Sequence, residues 1–149
     1  MLLKPDRLSF EAAAAIPTSA VTAWKGLHDV GGVVQGQQVL IIGASGGVGS
    51  FAIQIAKAAG AEVTAVCGPH GLELVRSLGA DHVVDYRREE ISTRSDFDLI
   101  VDIGGGRTLS RLRQALTPQG TLILVGSEKV DGGLARWVGC WPHPFSRPF

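Results

Sequence analysis

The sequence predicts an α/β domain built on a doubly wound parallel sheet, and three observations lead to that prediction. Short apolar runs typical of strands alternate with runs typical of helices through most of the chain. A glycine-rich turn separates the first apolar run, VLII, from the helical run FAIQIAKAA. At 149 residues and 45% hydrophobic content, the chain is large and apolar enough for one domain with its own core.

Two short helices are predicted ahead of the sheet. Ser9 is the predicted N-cap of a helix over SFEAAAAI, and Pro17 is expected to end that helix. Thr18 offers a second cap, for a helix on which Trp24 recurs at helical spacing. We expect Trp24 in the core, and the alternative is a platform for a ligand.

Five strands and three helices then alternate. The predicted strands cover residues 39–42, 62–66, 82–85, 97–103 and 121–126, and the helices lie near 47–59, 72–78 and 107–116. Because such crossovers are right-handed and parallel, the predicted strand order is 3-2-1-4-5. The turn signal Pro118-Gln119-Gly120 is expected just before the fifth strand. Residues 1–127 form the predicted domain, and residues 128–149 an irregular, loosely ordered tail.

Composition restricts the partners. The 14 basic residues balance 14 acidic ones, so no overall field favours nucleic acid, and a small molecule is the expected partner. The glycines within the uncharged stretch 39–56 divide it into strand, turn and helix, which argues against a membrane span. The only cysteines, Cys67 and Cys140, are too few for a disulfide framework or a thiolate zinc site. Together with an N-terminus unlike a signal peptide, they predict a cytoplasmic protein.

The glycine-rich turn predicts a nucleotide site. Aligned on Ala44, it fits A-x-G-x-x-G, with Ala44 at the tight turn, Gly46 where phosphate approaches the backbone, and Gly49 where helix packs on strand. The other residues of the predicted phosphate loop are Ser45, Gly47 and Val48. A strand before the loop and a helix after it favour a Rossmann dinucleotide site, where helix amides bind the pyrophosphate. The alternative is a glycine turn that serves packing alone.

The end of the second predicted strand favours NADP over NAD. NAD-selective sites carry an acidic residue there to bind the ribose 2′-hydroxyl, whereas this chain has Gly68. His70 is a candidate donor to a 2′-phosphate, or an exposed loop histidine without a role. Tyr86 is a candidate cover for the adenine or contact for the 2′-phosphate, or an ordinary residue at the sheet edge.

Four motifs in order resemble one family: PDRLSFEAAAAIPTSAVTAW, GASGGVG, LGADHVVDY and FDLIVDIGGGRTLSRLRQALTPQGTLILVG. The chain resembles the quinone-oxidoreductase branch of the medium-chain dehydrogenase/reductase superfamily over residues 4–127. That resemblance implies a GroES-like substrate domain and a closing sixth strand, both of which we expect this chain to lack. It also implies that NADP(H) donates hydride to a quinone or to an activated alkene or carbonyl.

The resemblance also assigns residues. It implies that the nicotinamide end of the site is lined by Thr22, Ile103, Val125 and Gly126. Zinc-dependent relatives have a cysteine ligand where this chain has Thr18, so no catalytic metal is expected. The chain's histidines, which are His28, His70, His82 and His143, are too scattered to suggest a metal site. Asp102 is expected to cap backbone amides of the following loop, with a direct role at the site as the alternative.

Three functions are compatible with this sequence. The first is a reductase domain that is active only when a substrate domain is supplied, and the second is an inactive module that binds NADP. A methyltransferase that uses S-adenosylmethionine shares the fold, but it is expected to carry an acid where Gly68 stands. We also expect a homodimer formed through the apolar edge strand 121–126, rather than a monomer whose tail covers that edge.

Overall fold

The computed structural model of the chain describes residues 4–88, 96–125 and 140–141. Its α-helices are α1 (Phe10–Trp24), α2 (Gly47–Ala58), α3 (Leu72–Ser77) and α4 (Leu109–Ala115), with a π-helical turn at Lys25–Val30 and a 3₁₀ turn at Pro69–Gly71. Its strands are β1 (Gln38–Ile42), β2 (Glu62–Cys67), β3 (His82–Asp85), β4 (Phe97–Asp102), β5 (Leu116–Leu124) and β6 (Cys140–Trp141). Among the described helices, none is both long and apolar enough to cross a bilayer.

The strands form one sheet in the order β3-β2-β1-β4-β5-β6. Strands β1 to β5 are all parallel, which confirms the predicted order 3-2-1-4-5. The short β6 runs antiparallel to β5, where Cys140 pairs with Ile123 and Trp141 with Leu122. This strand falls in the segment predicted to be an irregular tail, and the rest of 128–149 lies outside the described residues.

The sheet is buried on both faces, as the apolar character of its central strand predicts. Successive side chains of a strand point to opposite faces. Val39 and Ile41 join the core beneath α1 and α2, whereas Leu40 and Ile42 join a second core with Leu112 of α4. Helices therefore cover both faces of the sheet. The carboxyl ends of the central strands lie together at one end of the sheet, which none of the described helices covers.

The helix at the N-terminus begins as predicted and ends later than predicted. Ser9 Oγ accepts a hydrogen bond from the N–H of Ala12 at 3.1 Å, which confirms the N-cap. The prediction that Pro17 ends this helix is wrong, because α1 continues to Trp24. Pro17 is exposed on this helix, and its missing N–H removes one helical hydrogen bond without ending the helix.

The predicted core position of Trp24 is also wrong. Its side chain is 49% exposed and stacks on the imidazole of His28, with ring centroids 4.4 Å apart. The inward face of this segment instead follows Ala20, Ala23 and Leu27, of which the last two are buried. Small residues on that face let α1 approach α2 closely.

The start of β5 differs from the prediction for a local reason. The turn signal Pro118-Gln119-Gly120 lies inside β5, which begins at Leu116 directly after α4. Phe97 pairs with Leu116 but Leu99 pairs with Thr121, so the extra residues of β5 form an irregularity in the ladder. Pro118 and Gln119 are exposed there, so the turn-forming residues bend the strand outward without ending it.

Candidate functional site

The loop between β1 and α2 makes its sharp turn at Gly43. Gly43 has φ of +82°, and a Cβ added to it would lie 2.8 Å from the backbone nitrogen of Gly104. The fingerprint places the turn at the next residue, Ala44, which the structure buries completely. The loops after β1 and β4 therefore touch at a point where only glycine fits.

The two glycines of the fingerprint have different surroundings. A Cβ added to Gly49 would lie 2.6 Å from the Cα of Ala44, so this glycine lets α2 pack against the loop. A Cβ added to Gly46 would meet only the carbonyl oxygen of Gly43, at 3.4 Å. Gly46 is exposed and has an ordinary extended backbone, with φ of −79°. Because the space above the Gly46 backbone is open, the protein's own packing does not require glycine at this position.

The first turn of α2 presents backbone donors to that space. No side chain caps α2, whose N-cap residue is Gly46. The amides of Gly43 and Ala44 donate to the carbonyl of Val66, each at 3.0 Å. The first amides of a helix have no partner within the helix, and the helix dipole adds positive potential. Gly47, Val48 and Gly49 are these first residues, and their amides fit an anion such as a pyrophosphate.

Ser19 is a residue of this site that sequence reasoning missed. A Cβ added to Gly47 would lie 2.8 Å from the hydroxyl oxygen of Ser19, so the side chain reaches the glycine loop from α1. Ser19 lies three residues before Thr22, and residues at this spacing share one face of a helix. That spacing is the signal from which its position is predictable.

A cleft of about 610 Å³ opens beside the loop, at the carboxyl ends of the central strands. Residues that line it include Ser45, Gly68, Tyr86, Arg107 and Arg111. A Cβ added to Gly68 would lie 3.3 Å from Cε1 of Tyr86, so this glycine lets the phenol ring lie against the end of β2. His70 is exposed on the 3₁₀ turn and is not among the lining residues.

Cys67 also lines the cleft, and its chemistry is that of a buried thiol. Burial raises the pKa of the Cys67 thiol, and the nearby carboxylate of Asp85 raises it further, against a smaller opposing effect of Arg76. Only the thiolate is a good nucleophile, so the cleft holds Cys67 in its unreactive form. We assign it a packing role.

Three of the residues assigned to the nicotinamide end, Thr22, Ile103 and Val125, do not line this cleft. The half-buried Thr22 donates from Oγ1 to the carbonyl of Thr18 at 2.7 Å. Ile103 and Val125 follow the ends of β4 and β5, and both pack against the larger core. Gly126 lies outside the described residues. None of the three described residues is an acid or a base.

Asp102 caps the loop after β4, as predicted. Its carboxylate is 5% exposed, and Oδ1 accepts a hydrogen bond from the N–H of Gly105 at 3.0 Å. This bond holds the glycine run that faces Gly43. Asp102 therefore fixes the conformation of the loop after β4, next to the glycine loop.

Comparison with known proteins identifies the family. The sequence model of the family described as "Zinc-binding dehydrogenase" matches residues 47–136, which is more than half of the chain. The chain belongs to the zinc-binding dehydrogenase family. Its members among the relatives include quinone oxidoreductases, as the sequence motifs predict. The chain thus has the dinucleotide-binding fold of that family.

Three relatives show the range of zinc-binding dehydrogenases that the chain resembles. It is 49% identical to the human "NAD(P)H oxidoreductase RTN4IP1, mitochondrial", over 70% of this chain and 28% of that protein. The quinone oxidoreductase from Coxiella burnetii is 31% identical, with a TM-score of 0.77 over 85% of this chain and 40% of that one. A solved NAD-dependent alcohol dehydrogenase is 36% identical, with a TM-score of 0.80 over 89% of this chain and 41% of that one. The chain thus spans less than half the length of each.

The family's name implies zinc, but the residues described here do not fit a zinc ion. No three His, Cys, Asp or Glu side chains come together in the described part of the chain. The resemblance places a cysteine ligand where this chain has Thr18, whose hydroxyl is not a usual zinc ligand. His28 and His82 each contact one carboxylate, and His143 lies outside the described residues.

Proposed function

We propose that this chain is the coenzyme domain of an NADPH-dependent reductase, which transfers hydride to a quinone or to an activated alkene or carbonyl. The open space at Gly46 is the observation that carries the proposal. Close packing requires the glycine at Gly49, whereas packing leaves room above Gly46, and a phosphate that approaches the backbone would use that room. The uncapped N-terminus of α2 supplies amides suited to a pyrophosphate at the same point.

Each part of the dinucleotide has residues to hold it under this proposal. The amides of residues 47–49 bind the pyrophosphate, and the cleft beside Gly68 and Tyr86 takes the adenosine. Thr22, Ile103, Val125 and Gly126 orient the nicotinamide, which supplies the hydride when the coenzyme is bound. With no acid or base among these four, the domain's contribution is orientation and the exclusion of water from one face of the ring.

The choice of NADPH rests on the end of β2. Gly68 leaves no carboxylate to accept a bond from a ribose 2′-hydroxyl or to repel a 2′-phosphate. Relatives differ in this respect, because one is named for NAD(P)H and another as NAD-dependent. The residues of this chain, rather than its family, therefore support the choice.

Calorimetric titration of the full chain with NADPH and with NADH tests the proposal. We expect both to bind and NADPH to bind at least several-fold more tightly. Adding a quinone then separates the two functional hypotheses, because a reductase oxidises NADPH and an inactive binding module does not. Failure to bind either dinucleotide would refute both, and equal affinities would refute the NADP preference alone.

We further propose a symmetric homodimer through the exposed part of the β5 edge. Strand β6 pairs only with Leu122 and Ile123, so among the described residues the rest of β5 has no partner strand on the side away from β4. Unpaired apolar edges recruit further strands. Light scattering at micromolar concentration should give the dimer mass, and a monomer mass would contradict the proposal.

We also propose a cytoplasmic location for this protein. Two cysteines in 149 residues suit a reducing compartment. The human relative is named as mitochondrial, so the mitochondrion is the alternative to the cytoplasm. Fractionation of cells that produce the protein distinguishes them.

A further inference from the structure

The hydroxyl of Ser19 on α1 has no hydrogen-bond partner among the described residues. Three other helical hydroxyls donate back to a carbonyl of their own helix: Thr22 to Thr18 at 2.7 Å, Ser50 to Gly47 at 2.8 Å, and Ser77 to Leu74 at 2.7 Å. Ser19 makes no such bond, although Ala15 lies one turn before it on α1. A half-buried hydroxyl of this kind needs water or a ligand as its partner.

This hydroxyl lies at the start of α2. A Cβ added to Gly47 would lie 2.8 Å from Oγ of Ser19 but 3.6 Å from its Cβ, so the hydroxyl is the part of the side chain that approaches the loop. Gly47 is exposed and directly follows Gly46, and consecutive Cα atoms are about 3.8 Å apart. A group bound over Gly46 is therefore within reach of the Ser19 hydroxyl.

Two kinds of donor thus meet at the first turn of α2. Its first amides have no side-chain cap, and Ser19 accepts no hydrogen bond from them. Whereas the amide protons have fixed directions, a serine hydroxyl rotates its proton toward whichever acceptor is nearby. A hydrogen bond to an ionised phosphate is shorter and stronger than one between neutral groups. An anion on the α2 amides is therefore the acceptor that suits Ser19 best.

The position of Ser19 on α1 indicates which end of a dinucleotide it would contact. Thr22, which is assigned to the nicotinamide end, lies three residues later, and residues at that spacing share one helix face. The adenosine cleft lies beside Gly68 and Tyr86, and Ser19 is not among its lining residues. Ser19 is therefore closer in the fold to the nicotinamide end than to the adenosine.

We propose that the Ser19 hydroxyl donates a hydrogen bond to the phosphate on the nicotinamide side of the bound dinucleotide. The inference rests on the proposed function and adds a coenzyme-binding residue from α1 to those of the glycine loop. Because α1 also carries Thr22, one helix then holds both the nicotinamide and the phosphate next to it. Glycine at Gly47 leaves the hydroxyl the space that a Cβ would take.

Calorimetry on Ser19→Ala tests this with NADPH, NADH and adenosine 2′,5′-bisphosphate as probes. The two dinucleotides share the nicotinamide-side phosphate, and the bisphosphate lacks it. We expect the affinities for NADPH and NADH to fall by the same factor, about tenfold for a hydrogen bond to a charged group. The affinity for the bisphosphate should change less than about twofold.

Ser50→Ala is the matched control. Ser50 lies in the first turn of α2, but its hydroxyl already donates to the carbonyl of Gly47. This variant should leave all three affinities within about twofold of the parent's. Urea unfolding of Ser19→Ala provides a second control. Alanine is the most favourable helix residue, so we expect this variant to fold and to keep the parent's unfolding midpoint.

The outcomes separate this inference from the proposed function. An unchanged NADPH affinity in Ser19→Ala, or a loss for only one of the two dinucleotides, would overturn the inference. An equal loss for the bisphosphate, an equal loss in Ser50→Ala, or a lowered unfolding midpoint would also overturn it, because Ser19 would then shape the loop. In each case the parent chain still binds dinucleotide, so the proposed function stands. A parent chain that binds neither NADPH nor NADH would instead refute both.

Discussion

The two ends of the parallel sheet treat polar groups in opposite ways. At the amino end, side chains satisfy one another: Lys57 Nζ contacts both carboxylate oxygens of Asp81 at 2.8 Å, and Gln38 Nε2 donates to Glu62 Oε2 at 2.7 Å. At the carboxyl end, glycines replace side chains, and the first amides of α2 have no side-chain cap. The charged groups of the amino end thus pair within the chain, although the buried Oε1 of Gln38 accepts no hydrogen bond among the described residues.

The difference indicates where a ligand is needed. Backbone donors and charged side chains at a protein surface are stable when water solvates them, but a ligand that replaces this water gains all of their interactions at once. The amino end offers a smaller gain, because its charged groups already pair within the chain, as Lys57 with Asp81 and His82 with Glu62. Changes at the carboxyl end to residues that the protein's own packing does not constrain should therefore alter binding and spare stability, and changes to the paired groups of the amino end should do the reverse.

The largest expected effect is the loss of dinucleotide binding in Gly46→Val. A valine side chain would occupy the space where phosphate approaches, so the affinity for NADPH should fall at least about a hundredfold. Valine is a poor N-cap but fits the extended backbone there, so stability should fall by only about 1 kcal/mol. Calorimetry and urea unfolding measure the two effects. A Gly46→Val variant that binds NADPH like the parent would show that the loop is not the site.

Gly49→Val is the matched variant within the same loop. A side chain there would collide with the backbone of Gly43 and Ala44, which cannot move without displacing α2. This variant should therefore lose its folded structure, which circular dichroism would show. If both glycine variants unfolded alike, the contrast between a packing glycine and a ligand glycine would be wrong.

The next effect in size is a reversal of coenzyme preference in Gly68→Asp. The new carboxylate would repel a 2′-phosphate and accept a hydrogen bond from a 2′-hydroxyl, so NADPH should bind about tenfold more weakly and NADH more tightly. The new Cβ would lie 3.3 Å from the ring of Tyr86, which is 52% exposed and free to shift. Gly68→Asn controls for size without charge. If the asparagine variant changed the preference as much as the aspartate, charge would not be the cause.

Sequence patterns predicted the parts of this molecule that depend on local periodicity. The order of the five parallel strands, the N-cap at Ser9 and the capping role of Asp102 all follow from short stretches of sequence. Pro17 and Trp24 were predicted wrongly because both depend on which face of α1 meets α2. That face is decided by the small residues Ala20 and Ala23, which allow close approach and carry little hydrophobic signal of their own.

The candidate site was predictable only where one segment contains it. The glycine loop is such a segment, and its assignment needed no knowledge of the fold beyond a strand and a helix. Ser19 and Arg107 come from α1 and from the loop after β4, so their position beside the glycine loop depends on the folded sheet. His70 illustrates the converse, because a residue close in sequence to Gly68 lies outside the cleft.

At the amino end, Asp81→Asn should lower stability and leave coenzyme affinity unchanged. Asp81 accepts hydrogen bonds from Lys57 and, at 2.7 Å, from the N–H of Val63. Asparagine keeps an acceptor but loses the charge, so we expect a loss of about 1 kcal/mol at pH 7, measured by urea unfolding. Asp6→Asn, at an exposed carboxylate, is the control. An effect on NADPH affinity instead of stability would contradict the contrast between the two ends.

The effect of Asp81 should also depend on pH. Partial burial raises the pKa of this carboxyl, but the hydrogen bonds from Lys57 and Val63 outweigh burial and lower it overall. A lowered folded-state pKa means that the carboxylate stabilises the fold above its unfolded pKa of about 3.9, and that this contribution is lost as the pH falls through the folded value. The difference between parent and Asp81→Asn should therefore shrink below about pH 4. A constant difference down to pH 2 would show that the charge is not responsible.

The smallest expected effect is that of His82→Ala, at the other ion pair of the amino end. His82 Nε2 lies 2.8 Å from Glu62 Oε1, but the two side chains are 48% and 45% exposed, so water screens the pair. Glu62 also keeps its hydrogen bond from Gln38, which is the largest single cause of the lowered pKa of its carboxyl. We therefore expect a change in Tm of only about 1 °C and no change in NADPH affinity. Scanning calorimetry of the parent, His82→Ala and Asp81→Asn under one buffer gives the comparison directly. A loss for His82→Ala as large as that for Asp81→Asn would mean that the whole polar network acts as a unit, rather than through the bonds that join Asp81 to α2 and β2.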